Sequence, residues 1–134
     1  FDGEGDTERM TLVQLSKDIV VLKNEGWSIH ILLSQLNREI ESVARRTPCS
    51  PLNYPDKSCL FASDSIFQAS DYVLISHRPW KLKFIGDTYG PDKLPTRAED
   101  IYWHLIKNRE GSEALLIMEA LFEKMKILDG KKSD

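Results

Sequence analysis

The chain has 134 residues, 41% of them hydrophobic and 29% charged, which suits one compact domain or a piece of one and leaves too little material for two cores. A formal net charge of -3 excludes a protein that holds nucleic acid by bulk positive charge, so any DNA contact must be local. No apolar run reaches the roughly 18 residues of a membrane span, and the acidic start lacks a signal-peptide pattern, so the expected location is the cytoplasm.

Residues 6–25 carry Leu12, Leu15, Ile19 and Leu22 at helical spacing, with Gln14, Ser16, Lys17, Asp18 and Lys23 filling the other face. This predicts an amphipathic helix, capped by Asp6 or Thr7 and ended by Gly26 in the left-handed conformation. Residues 27–33 are nearly continuous apolar sequence (Trp27, Ile29, Ile31, Leu32, Leu33), as in a parallel strand buried on both faces. The polar set Ser34, Gln35, Asn37 and Arg38 ends it. Residues 38–46 read as a short charged helix, and Pro48, Pro51 and Pro55 then impose a long loop to about Leu60. A loop of that length is a candidate binding element.

A helical turn is expected around 63–69 and a strand at 72–76, closed by His77, Arg78 and Pro79. Residues 80–100, with Gly86, Gly90, Pro91 and Pro95, read as another loop. Residues 101–106 and 114–118 read as two strands joined as a hairpin through 108–112, while 122–128 fits a strand or a short helix equally well. The order predicts an α/β sheet with an antiparallel edge. Cys49 and Cys59 have no zinc-site spacing and are expected to be reduced structural thiols. His30, His77 and His104 fall in or beside apolar runs and are expected as core or edge histidines without chemistry.

Three segments carry a resemblance. Residues 34–39, SQLNRE, resemble the SQLNR signature of DnaB-family replicative DNA helicases. Residues 63–71, SDSIFQASD, are similar to that family's S-G-S-I-E-Q-D-A-D, with an apolar strand and Arg78 following as in the family. Residues 107–111, KNREG, resemble its K-x-R-x-G. The motifs stand in the family's order and spacing and, with the preceding helix, span nearly the whole chain.

The resemblance implies a single partial domain, residues 1–134, forming the C-terminal portion of a RecA-like (P-loop NTPase) sheet that lacks the Walker A and Walker B strands. The chain contains no G-x-x-x-x-G-K-[ST]; its Gly-Lys pair is Gly130-Lys131, with Met125 where the first glycine should stand. No predicted strand ends in the aspartate that would hold magnesium. In the family both elements lie upstream of the first helix, so the chain is expected to begin just after the magnesium-site strand. ATP and Mg are implied as cofactors of the intact helicase, and none is expected for this chain alone. The missing strand would leave a gap between residues 27–33 and 72–76, expected to close by direct pairing of the two or by exchange with another chain.

By the same resemblance, Gln35, preceded by Ser34, would sense the γ-phosphate, a task suited to an amide that donates and accepts without adding charge. Lys107 and Arg109 are two apart, so on a strand they share a side that Asn108 does not. They would reach the γ-phosphate of the neighbouring subunit as a basic finger. Asn37, Arg38, Lys57, Ser63, Asp64 and Ser65, with the loop 47–61 and its Tyr54, would face single-stranded DNA in the channel of a hexamer. Cys59, Leu60 and Phe61 replace the family's common acidic residue, Leu and Arg, so Phe61 stands where a DNA-contacting arginine is usual and Lys57 is the nearby substitute. The long loop PLNYPDKSCLF, residues 51–61, points to a divergent branch, of a phage or mobile element. The implied partners are single-stranded DNA, neighbouring helicase subunits and a primase or loader, with no membrane. A rival from another class is a non-enzymatic RecA-like module that binds helicase subunits or DNA.

Overall fold

The computed structural model describes residues 3–26, 28–61, 64–83 and 88–130. Helix α1 spans Gly3–Glu25. It starts upstream of Asp6 and Thr7, which therefore lie inside the helix and do not cap it. Gly26 does not take the left-handed conformation either: its N–H continues the helical pattern to Leu22 O at 3.0 Å. The packed face is Leu12, Val13, Ser16, Ile19 and Val20, turned toward α2 (Asp64–Ala69). A six-residue helix covers only a narrow stripe, so Leu15 and Leu22 of the expected apolar face stay 39% and 52% exposed.

Residues 28–33 are the main departure. They form no strand, and Ile29, Ile31 and Leu33 are 92%, 83% and 95% exposed. Trp27, the expected first residue, lies outside the described residues. A strand buried on both faces needs hydrogen-bonding neighbours and two covering layers, and no described segment supplies them here. His30 is accordingly exposed, its Nε2 3.0 Å from Ser28 Oγ, instead of lying at a core or edge. The charged stretch that follows splits into two 3-10 turns, Arg38–Glu41 and Val43–Arg46, in place of one helix. Further turns at Pro51–Asn53 and Lys57–Cys59 give the proline-rich loop a defined path.

Strands β1 (Tyr72–His77), β2 (Asp100–Asn108), β3 (Ala114–Leu121) and β4 (Lys126–Asp129) form a four-stranded antiparallel sheet in sequence order. The fold is thus α/β with an antiparallel sheet. β1 pairs with β2 in the register Ile75↔His104 and His77↔Tyr102, with an irregularity between Val73 and Leu74. The direct pairing expected between 27–33 and β1 is not formed, and β1 has no second strand partner among the described residues. The segment that fitted strand and helix equally contains both: a 3-10 turn at Phe122–Lys124, then Met125 at φ 49°, which reverses the chain into β4.

One face of the sheet carries the core. Tyr89 and Tyr102 are fully buried and packed by Tyr54, Leu82, Leu94, Leu115 and Ile117. His77 and His104 enter the same layer from β1 and β2, and the Tyr89 hydroxyl bridges them, 2.8 Å from His77 Nδ1 and 2.6 Å from His104 Nε2. Cys59 is buried, Cys49 is half-buried with Sγ 3.4 Å from Thr88 Oγ1, and both are free thiols. Among the described residues, no helix is long and apolar enough to cross a membrane.

Candidate functional site

The first motif ends in hydrogen bonds to the loop below it. Asn37 accepts from Glu39 N at 2.9 Å, starting the first turn, and donates through Nδ2 to Ser58 O at 2.6 Å and Leu60 O at 3.3 Å. Its own N–H reaches Cys59 O at 2.8 Å. An Asn suits this place because one amide can both cap a turn and clamp a passing chain. The half-buried Asn37 is therefore occupied within the chain, whereas Ser34, Gln35 and Arg38 are exposed. The Gln35 carbonyl accepts from Phe61 N at 3.3 Å and from Ser34 Oγ at 3.2 Å.

The loop 47–61 is organised by two side chains that sequence reasoning passed over. Arg45 is only 5% exposed. Its Nη1 donates to Leu52 O and Tyr54 O at 3.2 and 3.1 Å, and its Nη2 to Asp56 Oδ2 and Ser58 Oγ at 3.1 and 2.8 Å. A planar five-donor fork can meet four acceptors along one passing strand, which an ammonium cannot. Asn53, fully buried, donates to Arg45 O and Thr47 O at 2.6 and 2.8 Å and accepts from Ser50 N and Gly90 N at 3.2 and 2.9 Å. Tyr54 adds a bond to Asp92 at 2.9 Å, and burial raises its phenol pKa well above the usual value. The loop is consequently a fixed shelf that exposes Leu52, Lys57 and Phe61. Asp64 is exposed at the start of α2, Ser65 is half-buried, and Ser63 lies outside the described residues.

The third motif meets the second. Lys107 and Arg109 share the side facing α2 and the start of β1, while Asn108 turns into the hairpin and donates to Ser112 O at 3.1 Å. Lys107 Nζ donates to Phe67 O and Gln68 O at 2.6 and 3.0 Å and sits 5.0 Å over the Phe67 ring. Desolvation, followed by the nearby Arg109 charge, lowers its pKa. Arg109 Nη1 lies 2.5 Å from Asp71 Oδ1, and its backbone N–H donates to Asp71 O at 3.0 Å. Lys23, from the last turn of α1, donates to the same carboxylate at 3.0 and 3.1 Å. The Lys23 hydrogen bond, with the Arg109 charge behind it, holds the Asp71 carboxyl below its usual range.

Gln35 and the basic pair thus belong to separate clusters, connected through residues 58–71. The chemistry on offer is contact with an anion: a half-exposed guanidinium at Arg109 and exposed cations at Arg38 and Lys57. The described residues bring together no group of three or more His, Cys, Asp or Glu side chains placed for a metal. No protein-family model, curated protein or solved structure matches the chain.

Proposed function

We propose that the chain is the C-terminal part of the RecA-like motor domain of a DnaB-type, hexameric, ATP-driven 5'-to-3' DNA helicase working in the cytoplasm. Its four antiparallel strands would form one edge of a larger, mainly parallel sheet. The observation that supports this reading best is that the second and third motif segments meet, Lys107 binding the end of α2 and Arg109 binding Asp71, while Asn37 of the first holds the loop at Ser58 and Leu60 that leads into the second.

On this reading Arg109, with Lys107 beside it, acts across a subunit boundary on a γ-phosphate, where a cation lowers the cost of charge that develops during phosphoryl transfer. Gln35, exposed beyond the end of residues 28–33, senses the phosphate and is linked through Phe61 to the shelf. The shelf 47–61 faces single-stranded DNA. Neighbouring subunits and a primase or loader complete the partners. The rival, a non-enzymatic module that binds helicase subunits or DNA, draws on the absence of a phosphate-binding loop from these residues.

The full reading frame decides between them. Protein purified from it should hydrolyse Mg-ATP when single-stranded DNA is bound, and Arg109→Ala should lower turnover on the order of a thousandfold. Mixing Arg109→Ala subunits with subunits defective in the phosphate-binding loop should recover part of the activity, since some interfaces then hold two functional halves. Normal hydrolysis by Arg109→Ala would remove the finger from the proposal. Micromolar one-to-one binding of Mg-ATP by the 134-residue chain alone, read by calorimetry, would overturn the fragment reading.

A further inference from the structure

The two cations on one side of β2 are held differently. Lys107 gives two of the three donors of an ammonium to the final carbonyls of α2, at Phe67 and Gln68, so much of its capacity closes that helix. Arg109 is 54% exposed, and among the described residues its side chain is engaged only through Nη1, on Asp71. Asp71 also fixes the backbone, because its carbonyl takes the Arg109 N–H at 3.0 Å. The guanidinium is rigid and planar, so holding one nitrogen and the main chain restricts the plane and leaves Nε and Nη2 to meet a second acceptor.

The same carboxylate is shared with Lys23, whose ammonium arrives from the end of α1 at 3.0 and 3.1 Å. Asp71 therefore joins three parts of the chain: the helix ahead of the first motif, the last residue of the second motif, and the basic residue of the third. We infer that Asp71 is the positioning residue of Arg109, aiming its free donors at a phosphate group of an adjacent subunit and linking that aim to α1 through Lys23. The inference rests on the helicase reading and adds to it a residue that the motif resemblance leaves without a role. Asp71 itself does not reach the phosphate, since like charges would repel.

The test uses the full-length protein with bound single-stranded DNA and reads kcat and KM for ATP separately. Asp71→Asn should lower kcat on the order of a hundredfold, the cost of a catalytic group displaced by about 1 Å, and leave KM unchanged because the nucleotide site of its own subunit is intact. Asp71→Glu should recover part of kcat. The double variant Asp71→Asn/Arg109→Ala should be no slower than Arg109→Ala alone, and Asp71→Asn subunits should regain activity when mixed with subunits defective in the phosphate-binding loop. A salt bridge that serves stability alone would lower the melting temperature without the kcat loss and without complementation in mixtures. Should Asp71→Asn fail to fold, Asp71→Glu carries the test, with kcat reduced and KM held. Unchanged kcat in both Asp71 variants, with Arg109→Ala inactive, would overturn the role of Asp71 and spare the helicase reading. No effect of Arg109→Ala, or no hydrolysis by the unaltered protein, would overturn both.

Discussion

The Tyr89 hydroxyl lies 2.6 Å from Nε2 of His104, inside a layer closed to solvent. His77 stands on its other side at 2.8 Å. A hydroxyl between two imidazoles can donate to one and accept from the other only while the accepting ring keeps a bare nitrogen, so the two rings cannot both be protonated without breaking the bridge. Burial depresses the histidines, to about 3 for His77, where the His104 charge adds to desolvation, and to about 4 for His104. The unfolded chain therefore takes up protons near pH 6.5 while the folded chain does not. Stability is fully present above that pH and falls as pH drops toward 4, by about 1.4 kcal/mol per pH unit for each histidine. Urea midpoints measured between pH 7.5 and 5 should decline, and His104→Gln should flatten the decline by about half. An equal slope in wild type and variant would rule out this cluster as its source.

Arg45→Ala should destabilise the chain by about 2 kcal/mol, because it removes the side-chain donor from the part-buried bonds to the Leu52 and Tyr54 carbonyls and the partner of Asp56. Arg45→Lys should recover little, since one ammonium cannot reach acceptors spread over residues 52–58. Limited proteolysis provides a local check: cleavage within 47–61 should accelerate in both variants before global unfolding does. An intact, protease-resistant loop in Arg45→Ala would show that the prolines alone hold it.

Gly90 sits at φ 72°, a conformation that costs other residues about 1–2 kcal/mol, and a Cβ there would run into the Tyr54 ring. Gly90→Ala should exceed the backbone cost alone. Pairing it with Tyr54→Ala should return the steric part, giving a coupling on the order of 1 kcal/mol in a double-mutant cycle followed by thermal unfolding. Additive effects would mean that the ring moves aside freely.

Ile29, Ile31 and Leu33 stand almost wholly in solvent. Replacing all three by serine should change unfolding free energy by no more than about 0.5 kcal/mol per site, the range of surface substitutions. It should also reduce association at high concentration, since exposed apolar patches promote it. A large loss of stability in the triple variant would show that the segment is buried in solution.

Local pattern made much of the fold legible. The period of α1, the apolar run that opens Tyr72–His77 and the turn-flanked hairpin β2–β3 each depend on neighbours close in sequence, and each forms where its residues predict. Residues 28–33 depart from the expected strand because continuous apolar sequence reports a preference for burial and cannot say whether covering layers exist. The common side of Lys107 and Arg109 followed from strand parity, but Asp71 as their neighbour needed the β1–β2 register. Arg45 was hidden by its setting in Ala44-Arg45-Arg46, where a charge reads as surface. The carbonyl-rich, proline-bounded loop just after it was the one available hint.

Neighbouring strands of the sheet are also consecutive in the chain. The hairpin β2–β3 closes across residues 109–113, whereas β1 reaches β2 only after residues 78–99 have been traversed. Loop entropy favours the short closure, so the hairpin is the natural nucleus and β1 docks afterwards, with α1 tethered to Asp71 just ahead of it. Substitutions in the turn around Asn108 should then act on the speed of folding, and substitutions at Asp71 or His77 on the speed of unfolding. The carboxylate that gathers Lys23 and Arg109 would be set in place late, and its release would be among the earliest events when the chain comes apart.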